Sequence, residues 1–352
     1  MLDAISDGAL VALVGLGGGI ALGLAARLGR FCTLGAIEDL FYQGSDIRLR
    51  MWIVAIGTAV VGTHLILGTG LLHPGQTAYL GFAWSPLASI LGGLVFGYGM
   101  ALAGNCGYGA LARLGGGDLR AFVIVIVMGL SAYVTMSGPL AWLRVRAFPQ
   151  DPAEGPVPPG ISYRLADLLG LPAPAVGVVI GLLIVLAALG SRALLGKPGA
   201  IGWGVVVGLA VVSGWAGTAW MAERSFGGVP VASHSFAAPL GETMLYTMLS
   251  SGSTLSFGVG SVAGVLAGAF IGSLFKGHFR WEACEDPREL RRQIAGAALM
   301  GVGAVVAVGC TIGQGISAFA LLAYSAPVTL LAIITGAALG LRQLIEGFAV
   351  AN

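Results

Sequence analysis

Residues 86–114 read PLASILGGLVFGYGMALAGNCGYGALARL. The stretch from Pro86 to Ala103 carries no charge. It approaches the ~20 apolar residues that cross a bilayer as a helix. Gly104-Asn105-Cys106 then interrupts it, and residues 106–114 form a second apolar stretch. That stretch is too short to span and too apolar for an ordinary loop. Broken backbone of this kind is tolerated at membrane depth where it lines a cavity. The pair therefore predicts a membrane helix followed by a re-entrant half-helix.

The rest of the chain extends this pattern. Nine segments have spanning character: 7–28, 47–72, 86–103, 120–142, 173–195, 199–221, 253–275, 290–308 and 327–349. Short apolar segments lie between them at 31–41, 106–114, 217–221 and 310–322. Of 352 residues, 57 % are hydrophobic and only 10 % charged. So few charges cannot cover a water-soluble globule of this size. Soluble enzymes, nucleic-acid binders and disordered chains are excluded. The expected fold is an all-α polytopic membrane protein in contact with lipid. It has about nine transmembrane helices plus short re-entrant helices, in two inverted pseudo-symmetric halves.

Glycine, at 59 residues, is more than twice its usual ~7 % share. In membranes it lets helices approach closely. The series Gly260, Gly264, Gly268, Gly272 reads as such a packing stripe. The N-terminus has Asp3 and Asp7 but no basic n-region, so it reads as the start of a mature helix. Fourteen of the 18 lysines and arginines fall on one side if the spans alternate; Arg144, Arg146, Arg164 and Arg224 fall on the other. The positive-inside rule then predicts an outside N-terminus and a cytoplasmic C-terminus. His64, His73 and His234 fall near the outer side and read as interfacial. Glu38 and Asp39 read as helix-end or partner-contact residues, since acids do not suit an anion site.

Three of the four cysteines recur in one cassette. Cys32 opens C-T-L-G ending at Gly35, Cys106 opens C-G-Y-G (Gly107, Gly109), and Cys310 opens C-T-I-G ending at Gly313. Gly217-Thr218 reads as a degenerate fourth copy. This gives a first half at 1–142 with cassettes at Cys32 and Cys106, and a second at 199–352 with cassettes at Gly217 and Cys310. Residues 143–198 supply an external loop and a connecting helix. One odd helix between two like halves inverts the second, as in many secondary transporters.

The chemistry follows from the ends of the short helices. A half-helix N-terminus presents unpaired N–H groups and partial positive charge, which favour an anion. A cysteine there adds an S–H donor and a polarizable sulfur. Flanking glycines let a substrate touch backbone. Asn105 and Gln314 stand beside the cassettes as further amide donors. Such a set suits a soft or sulfur-containing anion passed between weak sites. A lone membrane cysteine is ordinarily a packing residue, and Cys284, outside the cassettes, is read as a bystander. No metal or cofactor pattern is present. A thiol enzyme transferring sulfur covalently is the reading from another class. It lacks a C-x-x-C resolving pair and a histidine base near any cassette.

The motifs G-R-F-C-T-L-G-A-I-E-D around Cys32, G-N-C-G-Y-G around Cys106 and V-G-C-T-I-G-Q-G around Cys310 resemble the YeeE/YedE, or sulphur-transport, family of bacterial inner-membrane proteins. The resemblance spans nearly the whole chain. It implies nine spanning helices with short dipping helices, thiosulfate uptake, and Cys32, Cys106 and Cys310 as the pathway thiols. It also implies a cytoplasmic sulfur-carrier partner of the TusA type, with no such domain fused here. The cassettes do not distinguish thiosulfate from a selenium or other sulfur anion.

Overall fold

The computed structural model describes residues 6–153, 157–226, 228–283 and 286–347. Its helices are α1 (Asp7–Leu28), α2 (Thr33–Tyr42), α3 (Ile47–Thr69), α4 (Pro86–Ala103), α5 (Gly107–Gly115), α6 (Leu119–Met136), α7 (Ala141–Ala147), α8 (Ile161–Leu169), α9 (Ala173–Leu189), α10 (Arg192–Leu195), α11 (Pro198–Arg224), α12 (Ala238–Leu249), α13 (Phe257–Phe275), α14 (Pro287–Val306) and α15 (Ser325–Glu346). A π-helical turn, Gly313–Ala318, lies between α14 and α15. The protein is an all-α polytopic membrane protein.

Seven of these helices are long and apolar enough to cross a membrane by themselves, or eight if the sharply bent pair α8 and α9 makes one span. That is fewer than the nine expected segments. Segment 290–308 does form a helix, α14, but Arg288, Glu289, Arg291 and Arg292 occupy its first turns. They shorten its apolar length.

Helix starts follow capping chemistry. Ser6, Ser85 and Ser256 accept the N–H of Ala9, Ala88 and Val259 at the starts of α1, α4 and α13. Such side chains satisfy orphan donors of the first turn, at about 1 kcal/mol each. Long charged loops are few, and the outward faces are apolar, with Leu65, Leu130, Leu186 and Leu331 more than half exposed. Facing lipid, they require no protein partner.

Glycine seams hold the bundle. A Cβ on Gly15, Gly19 or Gly23 would strike backbone of Phe257, Ser261 or Val265. Reciprocally, Gly260, Gly264 and Gly268 seat the carbonyls of Ala12, Leu16 and Ile20. The four-residue steps advance together, so α1 and α13 run parallel in backbone contact. The same pattern pairs α3 with α11 through Gly204 and Gly208, and α4 with α15 through Gly97, Gly336 and Gly340. By contrast, Gly18 faces Ser213 and Gly217 faces Val14, so α1 and α11 run antiparallel. The order long, short, long, long, short, long thus occurs on both sides of α9. The first helix of each run points the opposite way.

One expected break is absent. Gly217 and Thr218 lie inside the continuous helix α11. Gly217 admits Val14 of α1, and Thr218 Oγ1 bonds to Gly214 O at 2.8 Å and Ala232 O at 2.7 Å. Both residues are used for packing. The short element of this run is instead the extended stretch 228–237 followed by α12. Two of the three histidines expected at the interface also differ from expectation: His64 and His234 are 1 % and 0 % exposed. His64 is bonded to Val60 O and Ser162 Oγ, and His234 to Ser261 Oγ at 2.6 Å. Cys284 lies outside the described residues.

Candidate functional site: three thiols between two cavities

Each cassette cysteine follows a left-handed residue two positions earlier: Arg30 (φ 54°), Gly104 (φ 75°) and Val308 (φ 56°). The turn swings the chain out of the preceding helix. At Gly104 the conformation is unstrained. At Arg30 and the β-branched Val308 it is strained, at about 1–3 kcal/mol each. A left-handed turn held in the same place three times marks a constrained geometry around the thiols.

After the turn, Cys32 and Cys106 adopt extended backbone and become the N-caps of α2 and α5. Their sulfurs accept the N–H of Gly35 at 3.5 Å and Gly109 at 3.4 Å. Cys310 opens the helical segment 311–320, with Gln314 N–H bonded to its carbonyl at 2.8 Å. Its sulfur accepts the N–H of Phe236 at 3.3 Å, and Ser235 Oγ lies 3.7 Å away. Every sulfur therefore has a backbone N–H on a lone pair, which leaves the S–H free to donate elsewhere.

The fold brings these sequence-distant thiols together. Cys32, Cys310 and Thr311 are all electrostatic neighbours of the buried Cys106 thiol. Thr311 Oγ1 and Thr33 Oγ1, beside the thiols in sequence, are buried without a hydrogen bond of ordinary geometry. Gly107 packs on Phe236 O, and Tyr108 donates to Leu22 O at 2.6 Å. These contacts lock α5 between α1 and the 228–237 stretch.

The remaining expected residues divide. Gly35, Asn105 and Gly109 line a cavity of about 450 Å³ together with Cys32. Asn105 is 2 % exposed, and its Oδ1 has no partner. Gly313 stands under Ser235 and Tyr79. Gln314 plays a structural part, since its Nε2 donates to Ala307 O at 2.8 Å and Val308 O at 3.1 Å, closing the end of α14. Its donors are consumed, so it is not brought into the thiol line as an anion donor. Glu38 lines the Cys32 cavity, and Asp39 pairs with Arg48 at 3.2 Å.

The Cys32 cavity is basic. Arg27, Arg30, Arg48, Arg113 and Lys276 all line it. Arg27 is oriented by Ser273 Oγ at 2.7 Å, and Lys276 by the carbonyls of Arg27 and Leu28. A second cavity, about 800 Å³, is lined by the first turns of α1 and α13, while the basic one is lined by their last turns. The two therefore open at opposite ends of the parallel pair α1–α13. Among the described residues the larger cavity is lined by Asp7 and Glu242 but by no lysine or arginine. Ser235, which touches Cys310, lines it too.

Sequence reasoning missed Tyr79, Ser235, Phe236 and the whole 228–237 stretch. No cassette marks them, because they come from loops whose role depends on where the chain folds back. The basic cluster is present in the charge pattern, where it speaks for topology alone.

Comparison with known proteins finds relatives across most of the chain. The family described as Sulphur transport matches residues 28–339. A thiosulfate transporter, TsuA, of Spirochaeta thermophila is 27 % identical over 314 residues, covering 87 % of this chain and 91 % of that protein. The Escherichia coli thiosulfate transporter TsuA is 26 % identical over 341 residues, covering 92 % of each. With a match across most of its length and thiols at three broken helix starts, the chain belongs to the sulphur-transport family.

Proposed function

We propose that the protein carries thiosulfate across the bacterial inner membrane into the cytoplasm. The two similar transporters support the substrate. The observation that carries the mechanism is the placement of three thiols in one cluster, with Cys310 adjoining one cavity and Cys32 lining the other. By the positive-inside rule the basic cavity faces the cytoplasm, with the N-terminus outside. Runs 1–142 and 199–352 act as inverted halves joined by 143–198.

The path runs from the acid-rimmed cavity past Cys310 and Cys106 to Cys32. The terminal sulfur of thiosulfate accepts an S–H hydrogen bond from each thiol in turn. The ion's oxygens take the Asn105 amide and the Gly107 N–H at the middle thiol, while Gly109 and Gly35, whose N–H groups cap the sulfurs, carry no side chain and leave the ion room beside the thiols. No covalent bond forms, so no resolving cysteine is needed. A dianion cannot cross a dry interior alone, since bare burial costs tens of kcal/mol. Charge-assisted hydrogen bonds of about 1.5–3 kcal/mol each are strong enough to admit it and weak enough to release it. In the basic cavity the ion meets arginines, and a TusA-like carrier at that face is the partner this reading expects.

The test is uptake of labelled thiosulfate by cells without other thiosulfate importers, with and without this chain. Uptake that vanishes in Cys106→Ala, at equal membrane abundance, supports the proposal. Absence of uptake with the wild-type chain in the membrane refutes it. Competition by selenium and other sulfur anions in the same assay sets the cargo.

A further inference from the structure

His234 is wholly buried, yet nothing in the transport path calls for an imidazole. Burying a polar ring costs free energy unless its nitrogens find partners. Its Nδ1 lies 2.6 Å from Ser261 Oγ on α13. The opposite edge seats on α1, where a Cβ on Gly18 would collide with Nε2 and Cε1. The ring packs on Phe257, with centroids 4.9 Å apart. The side chain thus fills a slot between α1 and α13 that Gly18 keeps open.

The backbone of His234 belongs to the extended stretch 228–237. An extended segment makes no bonds of its own, so its neighbours must fix it in place. Ser317 Oγ, from the segment that Cys310 opens, donates to His234 O at 2.7 Å. Two residues on, the Phe236 N–H donates to Cys310 Sγ at 3.3 Å. The Phe236 carbonyl rests on Gly107, where a Cβ would lie 2.7 Å from the oxygen. Gly107 follows Cys106 and starts α5, and the Phe236 ring packs on Tyr108 of the same helix at 5.5 Å between centroids. Phe236 therefore touches the sulfur of one thiol and the residue after another. The stretch is a gauge between Cys310 and Cys106.

We propose that His234 is a positioning residue for the hand-over between Cys310 and Cys106. Its ring anchors the stretch to the α1–α13 pair, whose backbones are in direct contact. Through Phe236 the anchored stretch fixes the Cys310 sulfur relative to α5. The role rests on the transport reading, and the imidazole itself touches no ion and moves no proton. With the Phe236 N–H held on a sulfur lone pair, the Cys310 S–H is left to turn toward Cys106. When the ring loses its seat the stretch shifts, and that N–H leaves the sulfur. Cys310 then opens toward the larger cavity, which Ser235 lines. The hand-over slows, while the first encounter with the ion is unchanged.

The test follows iodoacetamide labelling of each cysteine in the purified full chain by mass spectrometry, and the concentration dependence of labelled thiosulfate uptake in vesicles. His234→Ala empties the seat, and Gly18→Ala pushes the ring out of it. Each is expected to speed labelling of Cys310 about fivefold, the factor that one net hydrogen bond represents, with Cys32 and Cys106 near their wild-type rates. Maximal uptake should fall about fivefold or more at equal abundance, with the half-saturating concentration within about twofold of wild type. His234→Asn keeps a polar atom at the Nδ1 position and lacks the edge that Gly18 faces. It should restore slow labelling, and Gly18→Ala should add nothing to it in the double variant. Wild-type labelling in both His234→Ala and Gly18→Ala overturns the role and leaves transport standing. Equal acceleration at all three thiols overturns it too, since that reports a general loosening, and so do additive effects in the double variant. No uptake by the wild-type chain overturns transport, while the labelling still reads the anchor.

Discussion

The two cavities are built on the same pair of helices and differ in what they offer an anion. Around Cys32 stand five arginines and lysines; around the opposite mouth, among the described residues, stand two carboxylates and neutral donors. A cation near a dianion is worth several kcal/mol at partial burial and acts at a distance. Neutral hydroxyl donors act only at contact and only in the right direction. The acid-rimmed side is thus suited to choosing an ion, and the basic side to retaining what has been chosen. Uptake of a dianion against an inside-negative potential costs about 4.6 kcal/mol per 100 mV. In the proposed orientation, with the basic cavity facing the cytoplasm, its positive charge offsets part of that locally.

The sharpest way to break this division is to remove the thiols that join its two sides. Cys310→Ala and Cys106→Ala are expected to abolish labelled thiosulfate uptake at unchanged membrane abundance. Normal uptake in both would make the thiols bystanders. Next in size is Gly313→Ala, whose new methyl meets Ser235 and Tyr79. It should reduce uptake by about tenfold or more by blocking the selecting side. A smaller effect belongs to the basic cavity. Arg30→Gln or Arg113→Gln should lower the uptake rate by about two- to fivefold, less so at high salt, since exposed charges are screened. A salt-independent loss would mean that these arginines make directed contacts instead.

Glu242 gives a gentler test of the acid-rimmed side. Burial holds its carboxyl above the usual carboxylate range, against the pull of Ser256 Oγ donating at 3.1 Å. As the pH falls its charge is therefore lost early, and the cavity becomes less negative. The half-saturating thiosulfate concentration should drop by about twofold through that range, and Glu242→Gln should show the lower value throughout. A variant that keeps the wild-type pH profile would clear Glu242 of any part in it. The smallest effect expected is that of Cys284→Ala, with uptake near wild type.

The local pattern of the chain explains what was legible. Apolar length gave the long helices, and the repeat around Cys32, Cys106 and Cys310 located three short helix starts, because each break is written into contiguous residues. Gly217-Thr218 misled for the same reason. A glycine and a threonine look alike whether they break a helix or admit a neighbour, and here Val14 and Ala232 decide. The place of His234 along the chain points to the interface, but Ser261 and the seam of α1, α11 and α13 bury it. Tyr79, Trp215 and Ser235 have no shared spacing at all. Only the fold sets Tyr79 and Ser235 over Gly313 and Trp215 against the Tyr79 ring.

The glycine seams also have a mechanical consequence. In the pair α1–α13, carbonyls rest directly on glycine Cα atoms at every turn from Gly15 to Gly23. At these turns backbone meets backbone, so rocking one helix against the other would open voids in a close-packed interior. The long helices act as a stator. On the proposed path, what moves is then small: the ion, the thiol rotors and the hydroxyls around them, on rotamer timescales of picoseconds to nanoseconds. A conductor of that kind should turn over with the shallow temperature dependence of diffusion through a fixed passage, and should saturate only when its donors are continuously occupied.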